Sequence, residues 1–111
     1  MDITVIGLGY VGLSNAVVAA SYLYNVIAYD VDKEKVALLK QGVATIEEPN
    51  IQELLTESRS RIRFLSNPKD AIRPSRIIVI AVDTPENKDG SPNLKHVYEV
   101  LDNIARFAIQ D

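Results

Sequence analysis

Short apolar runs alternate with longer amphipathic stretches along most of the chain. The runs at 3–6, 26–29 and 77–82 are each followed by a glycine or an aspartate. Continuous apolar runs of this length are typical of strands buried on both faces of a parallel sheet. Residues 61–65 instead alternate charged and apolar side chains, which suits a strand at the edge of a sheet. The pattern predicts four strands.

The segments between these runs have the composition and spacing of helices. Residues 13–24 are rich in alanine, valine and leucine, which is typical of a helix packed closely on a sheet. In the last segment, apolar side chains recur at helical spacing and predict a single apolar face. That face comprises Val97, Leu101, Ile104, Ala105 and Ala108.

Polar residues suited to helix N-termini precede the later helices. Aspartate and asparagine side chains accept hydrogen bonds from the free amides of a first helical turn. Asn50 is followed three residues later by Glu53, the spacing of a capping box. The predicted capping residues are Asp32, Asn50, Asn67 and Asn93, for helices that reach about residues 41, 59, 72 and the end of the chain.

Strands that alternate with helices predict an α/β fold. Right-handed crossovers arrange such units as a Rossmann-like, doubly wound, mostly parallel sheet with helices on both faces. We expect about four strands in the order 3-2-1-4. A complete dinucleotide-binding sheet usually has six strands. We therefore expect a sheet that is incomplete at its C-terminal edge, with residues 1–111 as the N-terminal part of one domain.

Charge and cysteine content narrow the possible functions. A formal net charge of -3 is unsuited to binding nucleic acid or an anionic membrane. The chain has no cysteine, which excludes a disulfide framework and a thiolate metal site and fits a reducing compartment. The N-terminus has neither a basic signal-peptide region nor a membrane-spanning segment. We expect a cytoplasmic protein without a bound metal.

A glycine-rich turn follows the first predicted strand. Gly7, Gly9 and Gly12 form a G-x-G-x-x-G pattern that opens the first helix. Gly7 permits the turn, Gly9 leaves room for a pyrophosphate, and Gly12 lets the helix lie close to the strand. The amides near Tyr10 and Val11 can then bind the pyrophosphate at the positive end of the helix. Such turns also serve packing alone, so this alternative stays open.

Asp30 follows the second strand, 18 residues after Gly12. A carboxylate at this position can accept hydrogen bonds from an adenosine ribose and repel a 2'-phosphate. This favours NAD over NADP as the cofactor. Because of Lys33 and Lys35, NADP stays an alternative cofactor.

Further motifs extend across nearly the whole chain. They read GLGYVGL at 7–13, YDVD at 29–32, EP at 48–49, IAVDTP at 80–85 and DGSPNL at 89–94. In order and spacing they resemble the UDP-glucose/GDP-mannose dehydrogenase family. Asp83 stands where that family usually has proline, and Asn93 where it usually has aspartate.

The resemblance implies roles for individual residues. Val11 would contact the pyrophosphate through its backbone, Asp30 would bind the adenosine ribose, and Lys35 would lie beside that ribose. Thr84 would face the cofactor from the fourth strand. Its place after a central strand, at the point where the strand order reverses, supports the same role.

The resemblance also implies an activity. The family oxidises the C6 alcohol of a nucleotide sugar to a carboxylate with two NAD, through a thioester on a cysteine; UDP-glucose is the expected substrate. Because the chain has no cysteine, we expect the catalytic residues to lie outside it. We expect the parent protein to be a homo-oligomer, and the chain alone to self-associate through its unpaired sheet edge.

Two alternative functions remain. One is an NAD-sensing regulatory domain, and the other is the NAD-binding domain of a dehydrogenase that acts on a hydroxy acid or an acyl-CoA. The loop from Val82 to Leu94 argues against both, because it resembles the nucleotide-sugar dehydrogenases.

The single histidine, His96, is predicted to be a surface or packing residue remote from the cofactor. Asp83 and Asp89 are predicted to belong to a turn.

Overall fold

The computed structural model describes residues 2–108, in which strands and helices alternate. The strands are β1 (Asp2–Ile6), β2 (Asn25–Tyr29), β3 (Ile62–Leu65) and β4 (Ile77–Ile80). The helices are α1 (Tyr10–Ser21), α2 (Lys33–Lys40), α3 (Ile51–Ser58), α4 (Pro68–Ile72) and α5 (Lys95–Phe107). A 3-10 turn at Arg59–Arg61 leads from α3 into β3.

The four strands form one parallel sheet in the order β3-β2-β1-β4, which confirms the predicted topology. Ile6 is in register with Tyr29 on one side and with Ile80 on the other. The carboxyl ends of these three strands therefore meet at one edge of the sheet. Within residues 2–108, β4 pairs with β1 alone, and Ile77 and Ile80 are 41% and 38% exposed.

Helices cover both faces of the sheet, as predicted. Successive side chains of β1 point to opposite faces, so Val5 joins one core and Ile6 the other. This two-sided burial is the reason why the strand reads as a continuous apolar run. The first core includes Val5, Leu13, Leu39, Leu55 and Phe64 beneath α1, α2 and α3. The second includes Ile6, Ile27, Tyr29, Ile72 and Val100 beneath α4 and α5.

The capping predictions for α2 and α4 are confirmed. Asp32 accepts hydrogen bonds from the amides of Glu34 and Lys35, both at 3.1 Å. Asn67 accepts from the Lys69 amide at 2.9 Å.

The capping prediction for α5 is wrong by one residue. Leu94 occupies the N-cap position of α5 and makes no side-chain capping hydrogen bond. Asn93, one residue earlier, accepts from the Lys95 amide at 2.9 Å.

Asn50 does not cap α3 through its side chain, so the capping-box prediction is wrong. Its backbone is left-handed, with φ of 73°, and its side chain makes no capping hydrogen bond. Asparagine tolerates this conformation better than most residues. Its carbonyl instead accepts from the Leu54 amide at 2.9 Å.

Helix α1 is displaced from its predicted range of 13–24. It begins three residues earlier, so Gly12 lies within its first turn. It ends at Ser21 because Leu23 is left-handed, with φ of 73°. The chain then turns directly into β2.

The apolar face predicted for α5 is only partly correct. Val100 is buried, and Ile104, Phe107 and Ala108 pack against the second core. Leu101, in contrast, is 47% exposed. Neighbouring helical residues point about 100° apart around the helix axis, so the rotation of α5 about its axis decides whether Val100 or Leu101 faces the sheet. The spacing alone did not decide this rotation.

Replacing Val100 by alanine should destabilise the fold more than replacing Leu101. We expect a loss of about 1–3 kcal/mol for Val100→Ala, because a buried side chain leaves a cavity. For Leu101→Ala we expect less than about 1 kcal/mol. Urea unfolding of both variants measures the difference, and an equal or reversed order would contradict the observed rotation of α5.

Two glycines in the turn between β1 and α1 have no room for a side chain. A Cβ on Gly12 would lie 1.6 Å from the Gly7 carbonyl oxygen. A Cβ on Gly7, whose φ is +98°, would lie 2.8 Å from the carbonyl carbon of Ala81. A Cβ on Gly9 would meet no protein atom within 4 Å. Packing therefore requires glycine at Gly7 and Gly12 but not at Gly9.

This contrast predicts a large effect on stability for one alanine substitution and a small effect for another. Gly12→Ala should lower the free energy of unfolding by about 3 kcal/mol or more, since the overlap involves backbone atoms. Gly9→Ala should change it by less than about 1 kcal/mol. Chemical denaturation followed by circular dichroism measures both. A Gly12→Ala variant as stable as the parent chain would show that α1 can move away from β1.

Candidate functional site

A crevice of about 720 Å³ opens at the carboxyl ends of β1, β2 and β4. It lies where the chain order reverses, with β2 on one side of β1 and β4 on the other. In open α/β sheets, ligands bind outside the strand ends at such a point. Its walls are the turn at 7–11, the segment 29–32 with Lys35, the segment 81–83, and one side of α5.

The floor of the crevice is formed by the glycine turn and the first turn of α1. Gly9 occupies the N-cap position and has no side chain to satisfy the free amides of that turn. These amides carry the partial positive charge of the helix terminus. The open space above Gly9 gives an anionic group room to approach them. The turn therefore fits a pyrophosphate, and packing alone does not account for Gly9.

Asp30 is held in a fixed orientation at the end of β2. Its Oδ2 accepts a hydrogen bond from the Leu8 amide at 2.8 Å, and its Oδ1 accepts from the Asp32 amide at 2.9 Å. Each carboxylate oxygen can accept a second hydrogen bond. Asp30 therefore both secures the glycine turn and retains acceptor capacity toward the crevice.

Lys35 enters the crevice from the first turn of α2. Its ammonium nitrogen lies 3.6 Å from Asp30 Oδ2, and its side chain is 29% exposed. Since Asp32 caps α2, the same short segment positions both the carboxylate and its basic partner. Lys35 is thus paired with Asp30.

The structure brings most of the predicted cofactor residues together. The residues that line the crevice are Gly7, Gly9, Tyr10, Val11, Asp30 and Lys35. Gly12 lies behind the turn, where a Cβ would meet Gly7 and Ala81. Thr84 is exposed on the loop after β4 and does not line the crevice. A direct contact of either residue with the cofactor stays a prediction.

Tyr10 connects the glycine turn to the segment between α2 and α3. Its hydroxyl donates a hydrogen bond to the Glu48 carboxylate. That hydrogen bond, more than slight burial or the charge of Glu48, raises the pKa of the Tyr10 hydroxyl. The Glu48-Pro49 motif thus has a structural role, since Glu48 holds the tyrosine ring at the mouth of the crevice.

Sequence reasoning missed the wall that α5 contributes. His96, Glu99, Val100 and Asn103 line the crevice. The prediction that His96 is remote from the cofactor site is therefore wrong, because α5 lies across the end of the sheet. His96 Nε2 is 3.9 Å from Asp83 Oδ1. No sequence signal identified this wall, since the helical spacing does not show which side of α5 meets the crevice.

The pKa of the Tyr29 hydroxyl depends on the acidic groups around this wall. Burial raises the pKa of its hydroxyl, and the nearby carboxylates of Asp30 and Glu99 raise the pKa further. The three side chains come from the end of β2 and from α5. Acidic groups on these two elements therefore face the same space.

The loop between β4 and α5 contains the predicted turn. The Asp89 carboxylate accepts hydrogen bonds from the Ser91 amide at 3.0 Å and the Ser91 hydroxyl at 2.6 Å. These bonds lower the pKa of the Asp89 carboxyl below its usual value. A bridge between Glu86 and Pro92 closes the turn. Asp89 therefore belongs to a turn as predicted, whereas Asp83 lines the crevice.

Two features are absent from the described part of the chain. Over residues 2–108, no three or more histidine, cysteine or acidic side chains are grouped so as to hold a metal ion. No helix in the same range is long and apolar enough to cross a membrane.

Comparison with known proteins identifies the family. A model of the "UDP-glucose/GDP-mannose dehydrogenase family, NAD binding domain" matches residues 1–111. The chain belongs to this family. NAD is accordingly the cofactor of this domain, and the geometry of the crevice fits it.

Relatives and solved structures agree with this assignment. A UDP-glucose 6-dehydrogenase of Bacillus subtilis is 34% identical over 100% of the chain and 26% of its own length. A UDP-glucose dehydrogenase of Pyrobaculum islandicum has a TM-score of 0.91 at 34% identity, covering 95% of the chain and 25% of that structure. A GDP-mannose dehydrogenase of Pseudomonas aeruginosa has a TM-score of 0.90 at 34% identity, covering 94% and 24%. The chain thus spans about a quarter of the length of these relatives.

Proposed function

We propose that the chain is the N-terminal part of the NAD-binding domain of a nucleotide-sugar 6-dehydrogenase. The observation that carries this proposal is the family match over residues 1–111, together with a crevice that combines the open turn at Gly9 and the oriented carboxylate of Asp30. The relatives are about four times longer. We propose that the remaining strands, the substrate domain and the catalytic residues of such a dehydrogenase are not among these 111 residues.

Different residues of the crevice bind different parts of the cofactor in this proposal. The amides at Tyr10 and Val11 receive the pyrophosphate at the N-terminus of α1. Asp30 accepts hydrogen bonds from the adenosine ribose, with Lys35 beside it. We propose that Thr84 contacts the cofactor from the loop after β4. When bound, NAD supplies the acceptor for the hydride removed from the sugar.

The proposed reaction is oxidation of UDP-glucose to UDP-glucuronate with two NAD. The B. subtilis and P. islandicum relatives support UDP-glucose, whereas the similar GDP-mannose dehydrogenase shows that the fold of this domain does not select the sugar. The chain contains no cysteine, so it does not form a thioester. Its proposed role is to bind the cofactor. We place the protein in the cytoplasm, where nucleotide sugars are its small-molecule partners.

Titration calorimetry with NAD, ADP-ribose and NADP tests the adenosine site. We expect NAD and ADP-ribose to bind more tightly than NADP, because Asp30 repels a 2'-phosphate. Asp30→Ala should weaken NAD binding by about tenfold or more, since it removes hydrogen bonds to a charged group. Gly9→Ala should weaken it as well, by placing a methyl group in the pyrophosphate space.

Asp70→Ala is the matched control for Asp30→Ala. It removes one exposed carboxylate from α4, outside the crevice, and changes the net charge equally. It should leave NAD binding unchanged. Absence of NAD and ADP-ribose binding by a folded chain, or equal losses in both aspartate variants, would contradict the assignment.

The exposed edge of β4 supports the expectation of self-association. Ile77 and Ile80 are partly exposed on β4, and this strand has no second partner within residues 2–108. An unpaired edge of this kind can pair with another copy. Sedimentation velocity at rising concentration should show association, and Ile80→Lys should reduce it. A monomer at high concentration would contradict the expectation.

A further inference from the structure

Asp83 and His96 face each other on one wall of the crevice. His96 Nε2 lies 3.9 Å from Asp83 Oδ1, and both residues line the crevice. Asp83 follows the end of β4, and His96 lies in the first turn of α5. The pair therefore forms where two elements meet, and the cofactor assignment above gives it no role.

Acidic side chains outnumber basic ones around this crevice. The ion pairs within 4 Å in the described residues are Lys35 with Asp30 and His96 with Asp83. When the imidazole is neutral, the lining residues carry a net negative charge, which opposes a ligand with an ionised pyrophosphate. The charged lining residues are Asp30, Asp32, Asp83 and Glu99 against Lys35.

We propose that His96 sets the affinity for the dinucleotide through its charge. The imidazolium form offsets Asp83, and also Glu99 one turn along α5, so NAD binds more tightly when His96 is protonated. This inference rests on the proposed cofactor site. Imidazole changes charge between about pH 5 and pH 8. Affinity should therefore be highest at the acidic end of that range and fall as the pH rises.

The exposure of the pair determines the size of the effect. The His96 side chain is 45% exposed and that of Asp83 is 80% exposed, so water screens both charges. We therefore expect the dissociation constant to rise about three- to tenfold between about pH 5.5 and about pH 7.5. A larger change would require a buried pair.

Calorimetric titration of the chain with NAD and with ADP-ribose across this pH range measures the effect. His96 is the only histidine, so His96→Gln should remove most of the pH dependence. NADP is not a suitable probe here, because its 2'-phosphate takes up a proton in the same range. Circular dichroism of each variant shows that it is folded.

Lys95→Gln is the matched control. Lys95 is exposed, neighbours His96 and does not line the crevice, so its replacement removes a positive charge without touching the pair. This variant should keep the pH dependence of the parent chain. Asp83→Asn should bind NAD more tightly than the parent at about pH 7.5, because one negative charge is removed from the crevice. It should keep a pH dependence, because His96 remains.

A second measurement separates His96 from a general effect of pH. Binding and protonation are linked reciprocally, so NAD should shift the midpoint of the His96 ring titration to higher pH in NMR spectra. Equal pH dependence in the parent chain and His96→Gln, with NAD still bound, would overturn this role and leave the cofactor site intact. Absence of NAD and ADP-ribose binding at every pH would overturn both.

Discussion

The close contact between α1 and β1 determines the position of every other feature of the site. A Cβ at Gly12 would overlap the Gly7 carbonyl, so the helix can lie where it does only with glycine at that position. This contact places the N-terminus of α1 directly at the carboxyl end of β1. The free amides of the helix therefore open onto the crevice, and the rest of α1 covers one face of the sheet. Packing and ligand binding thus depend on the same turn.

Backbone groups allow an acidic chain to bind an acidic cofactor. The helix terminus offers positive partial charge without a basic side chain, and the chain has a formal net charge of -3. The Asp30 carboxylate accepts from the Leu8 amide and so secures the turn. The proposed contact with the ribose would use the same carboxylate, so the shape of the turn and the proposed recognition depend on one residue.

The sheet topology brings together residues that are distant in the chain. Asp30 follows β2, Asp83 follows β4 and His96 lies in the first turn of α5, yet all three line one crevice. The parallel order β3-β2-β1-β4 is the cause, because it aligns the carboxyl ends of the strands on either side of β1. Asp83, where the chain departs from the family pattern, lies beside His96. The charge of the crevice depends on both residues.

The sequence by itself determined the strand order, the glycine turn and the acidic residue after β2, because each depends on a local pattern such as apolar runs, glycine spacing or a strand end. It also indicated the capping residues Asp32 and Asn67. Only the tertiary structure decided the left-handed backbone at Asn50, the burial of Val100 in place of Leu101, and the approach of His96 to Asp83. These features depend on how α3 and α5 are tilted and rotated against the sheet. Contacts across the whole fold set those angles, and no local pattern encodes them.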